Sequence, residues 1–155
     1  MKVYLPMHNS SMIKEMLVRT LQNGGFTLDC SNSDSYYFTE DLKDGPTKEL
    51  YCVSNWDGDF YKCPIKKLSL QRISKILHDL EWSKKRSPHN DGRGFYHAIG
   101  AWTFYDSSMS DGEEWVAFDP VLYVMDKEEA LQRAAKLNQK AIWDMRNDCE
   151  IEVIQ

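Results

Sequence analysis

The chain has no apolar run longer than five residues, Val121–Met125, far short of the ~20 that a membrane-spanning helix needs. Its four cysteines, Cys30, Cys52, Cys63 and Cys149, contain no Cys-x-x-Cys pair, so zinc-ribbon spacing is absent. The four histidines, His8, His78, His89 and His97, do not fall at metal-ligand spacing. None has a cysteine or serine companion at a recognisable nucleophile spacing. His8-Asn9-Ser10 opens like half of a paired His-x-Ser site, but there is no second His-x-Ser or His-x-Thr. Gly92-Arg93-Gly94 begins like a dinucleotide loop, yet His97 stands where the third glycine belongs and the segment precedes a strand pattern. The loop carboxylates Asp57, Asp59, Asp106, Asp111, Glu113 and Glu114 lack EF-hand spacing, and loop aspartates mostly serve turns. We therefore expect no metal site and no cofactor. The opening residues show no apolar core of a secretion signal. Reduced thiols in the cytoplasm are the corresponding expectation.

What is present reads as an ordinary globular chain. It has 155 residues, of which 42% are hydrophobic and 28% charged, the composition of one folded domain over 1–155. The net charge of −5 suits solubility and is too small for a DNA mimic. Its distribution is uneven. Residues 1–61 carry 5 basic and 9 acidic side chains, 62–93 carry 9 and 3, and 94–155 carry 5 and 12. A basic middle between acidic ends suggests one positive strip on an acidic body. The plainer account is that these charges solvate a helix and its loops.

The apolar spacing predicts an α+β fold: an antiparallel or mixed sheet with about three helices packed mainly on one face. Residues 2–5 read as a strand. Ser10 or Ser11 caps a helix with the stripe Ile13, Met16, Leu17, Thr20 and Leu21, which Gly24-Gly25 ends. Phe26–Cys30 and Tyr36-Tyr37-Phe38 are extended. Leu50–Asn55 and Phe60–Ile65 flank Asp57-Gly58, the signature of a type I′ hairpin. Pairing then opposes Cys52 to Cys63 and puts Leu50, Cys52, Trp56, Tyr61, Cys63 and Ile65 on one core face. Ser69 starts a helix with the stripe Leu70, Ile73, Ile76, Leu77 and Leu80, followed by a loop over 84–94. Phe95–Tyr105 and Glu114–Met125 are long strands. Pro120, lacking an amide hydrogen, is expected at an edge or bulge. Asp126 and Glu129 form a capping box for a last helix with the stripe Ala130, Leu131, Ala134, Ala135, Asn138, Ala141, Ile142 and Met145. That stripe buries Asn138. Glu150–Ile154 is a final strand.

The most suggestive segment is 82–93. On the 69–83 helix, Trp82 lies opposite the core direction set by Ile73. It adjoins Lys84, Lys85, Arg86, His89 and Arg93, and tryptophan beside arginine is the composition of binding hot spots. The leading expectation is a binding module, of adaptor or inhibitor type, that engages an acidic protein or phosphate-bearing partner through this surface. The first alternative is an enzyme acting on a phosphorylated or nucleotide substrate. In that reading His89 and Asp91 would supply acid–base chemistry, with Arg93 and Tyr96 beside them. The second is nucleic-acid binding through 62–93, with affinity falling steeply as salt rises. Trp143, off the stripe of the last helix, poses the same question of exposure as Trp82. His97, alternating with Phe95 and Ile99, reads as a core histidine bonded to a neighbour.

Overall fold

A computed structural model describes residues 10–32, 36–42, 45–46, 48–86, 92, 94–105 and 113–154. The expected strand 2–5, the loop 106–112 and most of 87–93 lie outside the described residues. Among those described, three helices join one antiparallel sheet of eight strands, the α+β fold that the sequence pattern predicts.

Helix α1, Ser10–Asn23, buries Ile13, Met16 and Thr20. It begins at Ser10, so the serines form its first turn and not its cap, and Leu21 at its far end is exposed. Gly24 has φ +80°, and a Cβ on Gly25 would overlap the Ala101 carbonyl. Only glycine lets the chain turn there directly into β1, Gly25–Asp29. β1 pairs with the two-residue β2, Tyr37–Phe38, on one side and with β5, Ala98–Tyr105, on the other. β5 runs beside the longest strand, β6, Glu114–Val124, in unbroken register from Ala98↔Val121 to Tyr105↔Glu114.

The expected hairpin does not form. β3, Tyr51–Ser54, and β4, Tyr61–Pro64, lie end to end along the other side of β6, with Ser54 opposite Val121 and Tyr61 opposite Phe118. They are two halves of one strand, interrupted by an excursion over 56–59. The chain does turn at Asp57-Gly58, but not as type I′: Gly58 is at φ +73° while Asp57 is not among the positive-φ residues, and the turn docks on the one after the last helix. Gly58 N–H donates to Leu137 O at 2.9 Å. The Gln139 amide donates to Trp56 O at 2.6 Å and Gly58 O at 2.8 Å. The long ladder of β6 and these polar partners together outcompete a local hairpin. Cys52 therefore opposes Tyr123 and Trp143, and not Cys63. The six residues assigned to one face divide: Cys63 joins the core under the helices, and Cys52 lies with Ala98 and Val121 on the opposite face.

Pro120 sits inside this central strand, opposite Ile99 and away from any edge. It is tolerated because β3 ends beside it. The irregularity expected at Pro120 is carried by its neighbour, as the 56–59 excursion.

Helix α2, Leu70–Lys85, is capped as the sequence predicts: Ser69 Oγ accepts from Arg72 N at 3.1 Å. Ile73, Ile76, Leu77 and Leu80 are buried, and the first residue of the stripe, Leu70, is exposed. Helix α3, Lys127–Lys136, has the Asp126 half of its capping box, with Oδ2 accepting from Glu129 N at 3.0 Å. It then stops nine residues before the predicted stripe does. Asn138 adopts φ +57° and is exposed, so its predicted burial is wrong. Asparagine is one of the residues that tolerate this left-handed helix-ending conformation; its Nδ2 donates across the fold to Asp57 Oδ1 at 2.7 Å. Ala141–Asp144 becomes β7, and a turn over 145–148 leads to β8, Cys149–Glu152.

Ile13 and Met16 of α1 and Ile73, Ile76, Leu77 and Leu80 of α2 share one core with Phe26, Leu28, Ile99, Val116 and Phe118. Ala130 and Ala134 of α3 pack on Tyr51, Val53, Val124 and Ile142. Val116, Phe118 and Val124 are separated by even spacings along β6 and point the same way. All three helices thus cover one face of the sheet.

Candidate functional site

The predicted surface begins on the solvent face of α2. Gln71, Lys75, His78, Trp82 and Lys85 recur every three or four residues and are exposed, one stripe opposite the buried one. Trp82 is 57% exposed. The Arg86 guanidinium lies 5.7 Å from its ring centroid, within cation–π range. Two neighbouring cations are partly matched: Lys75 pairs with Asp79 at 3.3 Å and Lys85 with Glu81 at 3.0 Å. Arg72 donates to the Tyr61 hydroxyl at 2.8 Å.

Lys84 behaves differently from its neighbours. It is half-buried, with its ammonium 4.5 Å above the Tyr96 ring and 5.4 Å from that of Phe95. Burial holds its pKa below the usual lysine value. Tyr96 itself is 4% exposed and belongs to the core under α1 and α2. Burial pushes its phenol well above the ordinary range. The structure thus separates the predicted residues: Trp82, Lys85 and Arg86 stand at the surface, while Lys84 and Tyr96 pack inward. His89, Asp91 and Arg93 lie outside the described residues. The chain returns beside α2 through Gly94, whose φ of +92° and close approach to Ser83 require glycine.

A second constellation occupies the sheet face that no helix covers among the described residues. Asp29, at the end of β1, is buried and accepts four hydrogen bonds: from Ser31 N at 2.9 Å, Ser31 Oγ at 2.5 Å, Tyr37 OH at 3.2 Å and Tyr123 OH at 2.6 Å. Burial alone would raise its pKa, but these donors outweigh it and hold the carboxyl below the usual range. Burial, with the same bond adding to it, pushes the Tyr123 phenol upward. The backbone N–H of Tyr123 donates to His97 Nδ1 at 3.1 Å, and the two rings stack at 5.5 Å. His97 is thus bonded to a neighbour, as expected, but it is half-buried and not part of the core. Burial, with Lys84 adding to it, lowers its pKa; because Nδ1 accepts from Tyr123 N–H, the neutral ring carries its proton on Nε2.

With its oxygens taken by four donors, Asp29 positions Tyr123, whose ring stacks on His97, and is not a free base. Neither Tyr37, Tyr123 nor Asp29 stood out in the sequence. The one available signal was an aspartate ending an otherwise apolar strand. Among the described residues no three His, Cys, Asp or Glu side chains gather as a metal set, and no helix is long and apolar enough to cross a membrane. In comparisons with known proteins, no family model, no curated protein and no solved structure matches the chain.

Proposed function

We propose that the protein is a binding module that engages an acidic segment of another protein through the outer face of α2, in the manner of an adaptor or inhibitor. The observation that carries this reading is Trp82. A large aromatic ring, more than half exposed, stands within a helix face bearing Lys75, His78, Lys85 and Arg86. An exposed tryptophan supplies apolar area with little side-chain entropy to lose. Arginine and tryptophan together are enriched among residues that dominate interface energetics. The surrounding cations favour an acidic partner on a body whose net charge is otherwise negative.

The test uses immobilised peptides of defined sequence: Glu/Asp-rich peptides containing leucine or phenylalanine, and matched Lys-rich ones. The wild-type chain is expected to bind the acidic set, more weakly as salt rises. Trp82→Ala, and separately Lys85→Glu with Arg86→Glu, should each weaken binding about tenfold or more, since anchor residues are typically worth ~2 kcal/mol. These positions are exposed, so circular dichroism should show the fold retained. Equal binding of acidic and basic peptides, or unchanged binding by both variants, would exclude this surface.

A further inference from the structure

Beyond Val121, β6 has no strand partner on its β5 side among the described residues. β5 pairs with β6 only as far as Ala98↔Val121, while β6 continues to Val124. Asn55 N–H donates to Pro120 O, so strand alternation turns the backbone groups of Leu122 and Val124 toward β3 and those of Tyr123 the other way. There the Tyr123 N–H meets His97 Nδ1. The Tyr123 carbonyl has no backbone donor among the described residues. Between this edge and α3 lies an open cavity of about 400 Å³, lined by His97, Tyr123, Val124, Met125, Glu129 and Arg133. Ligand clefts typically measure roughly 300–1,000 Å³.

The charges in this cavity are unusual for α3. Glu129 and Arg133 are one turn apart, the spacing of a helical ion pair. Yet neither side chain has a hydrogen-bond or ion-pair partner among the described residues, and they do not pair with each other. Arg133 is half-buried. Two opposite charges that line one cavity without pairing, Glu129 exposed and Arg133 half-buried, match a ligand that carries both. Val124 and Met125 add an apolar wall, and the Tyr123 carbonyl adds an acceptor beside the strand edge.

We propose that this cavity binds an α-amino acid zwitterion with an apolar side chain. Its carboxylate meets Arg133, its ammonium meets Glu129 and the Tyr123 carbonyl, and its side chain lies against Val124 and Met125. The site is independent of the Trp82 surface.

The test is titration of the isotope-labelled full chain, followed by NMR, with three probes: L-leucine, N-acetyl-L-leucine, which lacks the ammonium, and L-leucinamide, which lacks the carboxylate. Leucine should shift the His97, Tyr123 and Arg133 signals saturably, with a dissociation constant on the order of 1 mM for so small a ligand. The other two probes should bind about tenfold more weakly, each having lost one charge contact. In Arg133→Gln, leucine should fall to the level of leucinamide. In Glu129→Gln it should fall to the level of N-acetyl-leucine. Glu129 is exposed and Arg133 half-buried, and unchanged melting temperatures would show that both substitutions leave the fold intact. Absence of saturation up to about 50 mM leucine would overturn the proposal. So would equal binding of the three probes, or variants that discriminate among them as the wild type does.

Discussion

Asn55 and Pro120 form half of an ordinary ladder pair. Asn55 N–H donates to Pro120 O at 2.7 Å, and the donor that proline cannot return to Asn55 O is supplied by Gly94 N–H at 3.1 Å. The Asn55 side chain reaches the same loop, donating to Gly92 O at 2.8 Å and Phe95 O at 2.9 Å. A missing hydrogen on a central strand thus becomes the anchor for the chain that enters β5. Asn55→Ala keeps the backbone bonds and removes the two from the amide. It should lower stability by ~1–3 kcal/mol, the usual cost of stranding partly buried polar groups. Amide exchange at Gly94 and Phe95 should accelerate. Exchange unchanged at both residues would show that Asn55 does not hold the loop.

The 56–59 excursion depends in the same way on Gln139, which is buried and bonded to Trp56 O and Gly58 O. Gln139→Leu matches the volume roughly and supplies no donor. Denaturant midpoints should report a loss of ~1–3 kcal/mol. Asn138→Gly should be close to neutral because glycine accepts φ +57°, whereas Asn138→Ala should cost ~1–2 kcal/mol for a left-handed alanine. If Asn138→Ala proves harmless, the turn is not held in that conformation.

These two clamps explain what the sequence could and could not disclose. The α1 and α2 stripes, the Ser69 and Asp126 caps and the apolar strands β5 and β6 follow local periods of 3.6 and 2, and each forms. The exposed Trp82 follows from the same angular argument. The pairing of β3 and β4 is decided elsewhere, by the length of β6 and by donors on Gln139 some eighty residues later. Alternation within 50–65 has no access to either. Ala141, Ile142 and Met145 continue the α3 spacing by coincidence; the informative residue was Asn138, a helix-ending type read as a buried one. Asp29 and Tyr123 are 94 positions apart, and nothing local connects a strand-end aspartate to a tyrosine on another strand.

The thiols offer a check on the placement of both faces. Cys30, Cys52 and Cys63 are buried and Cys149 is exposed. Burial raises the pKa of all three inner thiols, that of Cys30 to about 12, and the thiolate is the reactive form. Native protein at neutral pH should therefore show one fast-reacting thiol and three slow ones with a chromogenic disulfide reagent. Cys149→Ser should abolish the fast phase. A second fast thiol would mean that Cys30, Cys52 or Cys63 is reached by solvent where its side chain is buried.

Asp119 makes the stability of the protein depend on pH. Its side chain is completely buried. Oδ1 accepts from Phe60 N at 2.8 Å, where β4 begins. Oδ2 and the nearby Ser54 Oγ have no hydrogen-bond partner; Ser54 is close enough to ease a charge on the carboxylate but does not bond it. Burial lifts the pKa from its ordinary 3.8 to about 8, against the opposing pull of the Phe60 N–H and with a further push from Asp59. The folded chain therefore keeps a proton that the unfolded chain releases above 3.8. Because the native state binds more protons in that window, the Asp119 contribution to stability falls as pH rises from about 4 to about 8 and then levels off. Asp119→Asn retains an acceptor for Phe60, offers Ser54 a donor and does not titrate. Denaturant midpoints at pH 4, 6 and 8 should show the variant close to wild type at pH 4 and progressively more stable than wild type toward pH 8. Parallel curves for the two proteins across that range would mean that Asp119 is already ionised in the fold, with a cation or water beside it.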